Sequence, residues 1–98
     1  MDRQNRILKL LTEYYTPEFI KLVDESHKHS GHNGHDGSPG THFRLTLVSD
    51  SFVDKGRIDR QREVYGLLSN EFDTGLHALA LQLYTPKDYK NLNNTTKM

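Results

Sequence analysis

The sequence predicts an α+β fold: a three-stranded mixed sheet with helices packed on one face, in the order helix, strand, strand, helix, strand, helix. Three observations lead there. Residues 42–49 alternate, with Phe43, Leu45 and Leu47 on one side and His42, Arg44 and Thr46 on the other, the period-two pattern of a half-buried strand. Residues 3–15 and 58–72 carry apolar side chains at helical spacing. The second and third predicted strands flank a helix, the layout of a right-handed parallel crossover, whereas the first two can pair antiparallel across a loop.

Each element follows from its residues. In 3–15, Ile7, Leu8, Leu11, Tyr14 and Tyr15 keep the helical period and leave Arg3, Lys9 and Glu13 for solvent. Pro17 disfavours helical geometry at Thr16, so the helix is expected to stop there. Residues 19–25, with Phe19, Ile20, Leu22 and Val23, are too short for a second helix and sit between a proline and a glycine-rich stretch, which marks a strand. Residues 27–41 form a loop, long for so small a domain and therefore expected to be functional or disordered. After the strand at 42–49 and a turn at 51–56 comes the main helix. Its stripe is Ile58, Tyr65, Leu68 and Phe72, flanked by Val64 and Leu67, and Gly75 supplies a stop. Residues 76–84 form the third strand, with Leu79, Leu81 and Leu83 on one side and Leu76, Ala78 and Ala80 on the other. Apolar character on both sides points to a central or well-covered position. Thr85 then caps a last helix, with Pro86 at its first position and Asp88 three residues after the cap. The polar residues 91–98 are expected to be a disordered tail, leaving 1–90 as the single domain.

Composition narrows the function. The 13 Lys and Arg balance 13 Asp and Glu, so the basic excess that accompanies a strong sequence-independent hold on nucleic acid is missing. No apolar run approaches the ~20 residues that span a bilayer. The opening MDRQNRILKLL lacks the apolar core of a signal peptide, so a cytoplasmic protein is expected, with a mitochondrial or nuclear address open in a eukaryote. The absence of cysteine excludes disulfides, a thiolate nucleophile and an all-cysteine zinc or iron–sulfur site. Any metal must be held by histidine or carboxylate, or with ligands borrowed from another molecule. Ser26, Ser49 and Ser51 lie near acids, but there is no nucleophile elbow, P-loop or dinucleotide-binding pattern, and the chain reads as a non-enzyme.

Five of the six histidines, His27, His29, His32, His35 and His42, fall within residues 24–43 among four glycines. His29, His32 and His35 recur every third residue, and short histidine-rich tracts bind soft and borderline metals. The plain alternative is a solvated loop whose histidines do nothing specific. The sixth, His77, opens the third strand on the parity of Leu79, Leu81 and Leu83, where a lone histidine is ordinarily satisfied by a backbone hydrogen bond. A glycine-rich segment of about a dozen residues reaches roughly 20 Å, so a loop histidine can approach His77 if both lie at one end of the sheet. Two histidines are too few for a tetrahedral site, and a partner would have to complete it. A second candidate site is Lys55, Arg57, Arg60 and Arg62, at a turn and helix start that attract anions. Asp54, Asp59 and Glu63 are interleaved and dilute that field, which favours a solvated helix face over a nucleic-acid site.

Asp24-Glu25-Ser26 followed by His29, then Thr41-His42-Phe43, Val48-Ser49-Asp50-Ser51-Phe52, Arg60 and Arg62, Val64-Tyr65, Leu68, His77-Ala78-Leu79 and Thr85-Pro86 together resemble the BolA family, from about Ile7 to Tyr89. The resemblance implies a class II KH-like fold and a partner, a monothiol glutaredoxin of the CGFS type. It implies a shared 2Fe–2S cluster, with cysteine and glutathione thiolates on the glutaredoxin side and histidines on this side. The family's strand histidine maps onto His77, and its loop histidine, three residues after the serine of Asp-Glu-Ser, onto His29. The loop is longer than in many relatives, so His32 and His35 are alternates. The implied role is an adaptor in iron–sulfur cluster trafficking and iron regulation, monomeric alone and heterodimeric with its partner. The alternative is a DNA-binding transcriptional regulator using Lys55, Arg57, Arg60 and Arg62. Two departures bear on that alternative. Gln61 stands between Arg60 and Arg62 where the family usually has histidine, and Asp54 stands where it usually has glycine, which puts an acid into the turn.

Overall fold

A computed structural model describes residues 2–29 and 39–95. Its elements are α1 (Arg3–Tyr15), β1 (Phe19–Asp24), a 3₁₀ turn (Ser26–His29), β2 (His42–Val48), a second 3₁₀ turn (Asp50–Phe52), α2 (Arg57–Leu67), α3 (Ser69–Asp73), β3 (Ala78–Tyr84) and α4 (Pro86–Thr95). The α+β class and the mixed sheet are as expected. β1 pairs antiparallel with β2, and β2 pairs parallel with β3.

The two ends of α1 are chemically marked. Asp2 caps it by accepting a 2.9 Å hydrogen bond from the Asn5 N–H. Thr16, ahead of Pro17, ends it in left-handed geometry at φ 42°. Ile7, Leu11 and Tyr15 of α1 and Val64 and Leu68 of the second helical segment meet Leu22, Phe43, Leu45, Leu47 and Leu79 on one face of the sheet. Ser49, buried after β2, ties α1, β2 and β3 together. Its N–H donates to the Tyr84 carbonyl at 3.0 Å and its hydroxyl donates to the Tyr15 carbonyl at 2.9 Å.

Several boundaries and placements differ from expectation. The main helix breaks at Leu68, where ψ is 14°, because Gly66, Ser69 and Asn70 are weak helix formers while Leu68 stays anchored in the core. Its buried stripe is Val64 and Leu68; Ile58 is 62% exposed and Tyr65 40%. β3 lies at an edge, not at the centre, since the sheet order is β1-β2-β3. Its outer face carries the exposed Ala78, Ala80 and Gln82, small or polar enough to leave uncovered, before Tyr84 at its end. Its edge is covered by α2: the Tyr65 hydroxyl donates to the Leu79 carbonyl at 2.9 Å, and Arg60 donates to the Leu83 carbonyl at 3.2 Å.

The expectation that helices share one face holds for α1, α2 and α3, whose Phe72 packs against the same core, but not for α4. Tyr89 of α4 stacks on Phe19 at 5.7 Å and meets Tyr84 at 5.6 Å. By register Phe19 and Tyr84 flank Val48 on the opposite face, and Val48, 1% exposed, lies outside the main core cluster. The α4 signal in the sequence is realised as a capping box: Asp88 N–H donates to Thr85 Oγ1 at 3.0 Å and Thr85 N–H to Asp88 Oδ2 at 3.4 Å. The helix runs on to Thr95, so residues 91–95 are helical where a disordered tail was expected. No helix among the described residues is long and apolar enough to cross a membrane.

Candidate functional site

The end of the sheet at which β1 stops and β2 and β3 start is held by Asp24 and Ser26. Asp24 Oδ1 accepts from both the N–H and the hydroxyl of Ser26, and Oδ2 accepts from the Gly40 N–H at 3.0 Å. The Ser26 oxygen in turn accepts from the N–H groups of Thr41 at 3.0 Å and His42 at 3.1 Å. Ser26 is 1% exposed. One carboxylate and one hydroxyl thus tie the end of β1 to Gly40, Thr41 and the first residue of β2. Burial opposes ionisation of Asp24, yet the hydrogen bonds from Ser26 and Gly40 outweigh it and hold the carboxyl below its ordinary range.

A second brace comes from α1. Arg3 donates to the Glu71 carboxylate at 2.7 Å and to the carbonyls of Glu71 and Thr74 at 3.0 and 2.9 Å. Its side chain fills the space beside Gly75 (φ +131°) and Gly40 (φ +86°); a Cβ on Gly75 would meet the guanidinium at 2.8 Å. These glycines stand two residues before His77 and His42. Hydrogen bonding from Arg6, with its charge and that of Arg3, outweighs burial and keeps Glu71 ionised below the usual carboxylate range.

His77 lies one residue before β3 and is exposed, so the strand parity that pointed it toward the core does not apply. The reason is local. The N–H groups of His77 and Ala78 both donate to the Thr41 carbonyl, at 2.8 and 3.1 Å, which delays regular pairing until Ala78. The parallel register sets His42 opposite Ala78, and the His42 and His77 rings stand 5.7 Å apart at 73°. His42 is therefore beside His77, although the sequence placed it only on the following strand. The parallel register that joins them cannot be read from either segment alone. His29 ends the 3₁₀ turn that begins at Ser26, so the chain leaves for the histidine-rich segment from this same end. His32 and His35 lie outside the described residues. Among the described residues no group of three or more histidine or acidic side chains forms a metal site. The donor set here, two imidazoles and no thiolate, suits a metal or cluster whose remaining ligands come from elsewhere.

The four basic candidates differ in how they are engaged within the fold. Lys55 is paired with Glu63 at 2.8 Å. Arg60 donates to the carbonyls of Lys55 and Leu83, pairs with Asp88 at 3.3 Å and lies over the Phe52 ring. Arg57 and Arg62 are exposed. Arg57, Arg60 and Arg44 line a cleft of about 750 Å³ together with Asp88. Asp54 adopts φ 65°, which explains how an aspartate can occupy a turn position suited to glycine.

Comparison with known proteins places this geometry. The family model described as BolA-like protein matches residues 11–88. The UV-induced protein uvi31 of Schizosaccharomyces pombe is 49% identical over 84 residues, covering 83% of this chain and 82% of that protein. The DNA-binding transcriptional regulator BolA of Escherichia coli is 37% identical over 92 residues, 94% of this chain and 84% of that one. Among solved structures, the BolA domain of SufE1 from Arabidopsis thaliana superposes with a TM-score of 0.80 at 37% identity, covering 89% of this chain and 95% of that one.

Proposed function

The chain belongs to the BolA-like protein family, and from that premise we propose that it is a non-enzymatic adaptor that binds a monothiol glutaredoxin and shares a 2Fe–2S cluster with it, in iron–sulfur cluster assembly and iron regulation. One observation carries the reading: a cysteine-free chain presents the exposed His77, beside His42, at the end of the sheet from which the histidine-rich segment departs. His77 and one histidine of that segment, His29 ahead of His32 and His35, would be the ligands of this chain. Thiolates from the glutaredoxin and its glutathione would complete the set. When bound, the cluster supplies one-electron chemistry at a potential raised by imidazole in place of thiolate.

The chain's own residues do the positioning. Thr41 holds the His77 backbone through its carbonyl, and Ser26 holds Thr41 through its hydroxyl. Visible absorption and circular dichroism of a cluster-loaded glutaredoxin should change on adding this protein, and His77→Ala should abolish the change. An unaltered spectrum with the wild-type chain overturns the reading.

A second reading, DNA binding, draws on the exposure of Arg57 and Arg62 and on the printed name of the Escherichia coli relative. Duplex binding that weakens steeply with salt and is lost in Arg57→Ala/Arg62→Ala would support it; salt-insensitive binding would not.

A further inference from the structure

We propose that the cleft beside the middle of β3 takes an extended acidic peptide segment of a partner protein, which joins the sheet there as a short added strand. β3 is an edge strand. In a parallel pair the N–H and C=O of one residue point to the same side, and the side alternates along the strand. Ala78 and Tyr84 face inward: the Ala78 N–H donates to the Thr41 carbonyl, and the Tyr84 carbonyl accepts from the Ser49 N–H. The backbone groups of Leu79, Leu81 and Leu83 therefore face outward. α2 covers this edge at two points only. Tyr65 donates to the Leu79 carbonyl at 2.9 Å, and Arg60 to the Leu83 carbonyl at 3.2 Å. Among the described residues no hydrogen bond reaches the outward groups of Leu81, halfway between. An edge with an open donor and acceptor is a template for another strand. Leu79 and Leu83 lie about 13 Å apart along the strand, room for about three residues.

Charge selects the occupant. Leu81 lines the cleft of about 750 Å³ together with Arg57, Arg60 and Arg44, against one carboxylate, Asp88, among the lining residues. Arg60 pairs with Asp88, and Arg44 with Glu25, which is not part of the lining. Arg57 is exposed and has no ion-pair partner among the described residues. A second copy of this chain, pairing β3 with β3, would set these cations against their own copies, which is costly. A phosphodiester offers no donor to the Leu81 carbonyl. A peptide strand offers both a donor and an acceptor, and acidic side chains on alternate residues fall on one side of it, where Arg57 can meet them.

The test is a titration of the full chain, without any glutaredoxin, with the capped peptide Ac-Glu-Val-Glu-Val-Glu-NH2. Backbone amide NMR signals and amide hydrogen exchange read it out. The Leu81 amide should shift and exchange more slowly. Arg57→Glu should weaken binding by about tenfold or more; a glutamate suits the first turn of α2, so this variant keeps its fold. The lysine counterpart Ac-Lys-Val-Lys-Val-Lys-NH2 should not bind. The acidic peptide methylated on every backbone nitrogen keeps its charge but has no donor, and should bind about tenfold more weakly or worse. Absence of binding, equal binding of the lysine or methylated peptide, or shifts confined to residues outside the cleft would overturn the proposal. So would slow exchange at Leu81 that grows with protein concentration in the absence of peptide, which assigns the edge to a second copy, or a single-stranded oligonucleotide that moves Leu81 where the acidic peptide does not. None of these readouts involves a cluster, so failure here is separable from failure of the glutaredoxin reading.

Discussion

Ser26 shows how one small side chain organises a site it does not join. Its hydroxyl donates to Asp24 and accepts from two backbone N–H groups that begin β2. Ser26→Ala leaves those donors without their partner in a buried setting, which costs about 2–4 kcal/mol; denaturant unfolding checks it. Asp24 titrates below its ordinary value in the folded state, although burial alone would raise it. A depressed carboxyl contributes stability above the unfolded pKa, near 3.8, and loses it as pH falls through the folded value. Asp24→Asn should therefore be destabilising at neutral pH, with the difference from wild type shrinking as pH drops below about 4; melting curves along a pH series read this out. Asp54, at φ 65°, carries strain that glycine does not. Asp54→Gly is expected to raise stability by about 0.5–1 kcal/mol, measurable as a higher denaturant midpoint.

At the scale of elements, α4 and the histidine pair occupy opposite ends of β2 and β3. Tyr89 packs against Phe19 and Tyr84, at the far end from His42 and Ala78, and strands of this length separate the two ends by about 20 Å. Tyr89→Ala should cost about 2 kcal/mol through lost ring contacts and burial, visible as a lower Tm, and leave cluster sharing with a glutaredoxin as in wild type. Loss of that sharing would mean that α4 is part of the site. The opposite holds for the turn at Thr74 and Gly75. Arg3→Ala removes the brace beside Gly40 and Gly75, and its larger effect should be on the spectral change seen with a cluster-loaded glutaredoxin, with only a modest fall in Tm.

For the whole molecule, zero net charge limits any hold on DNA to local contacts. With Lys55 and Arg60 engaged inside the fold, Arg57 and Arg62 are the remaining pair, and two phosphate contacts give a salt slope of only about −2. A much steeper measured slope would show that other cations join the interface.

Element identity was legible because it is written in near-neighbour periodicity. The alternation of Phe43, Leu45 and Leu47, the Ile7–Leu11–Tyr15 stripe and the Thr85/Asp88 capping box are each complete within a few residues. The absence of cysteine was likewise visible in the chain. Other features depend on residues far apart in sequence. The break at Leu68 follows the pull of the core, and the edge position of β3 follows the order of pairing. Tyr89 finds its place against Phe19, seventy positions earlier. The meeting of His42 with His77 required a parallel register and a shared acceptor at Thr41, which only the packed chain supplies. Local periodicity thus determined which segments exist and which side chains could bind a metal; long-range hydrogen bonding decided which of those side chains stand together.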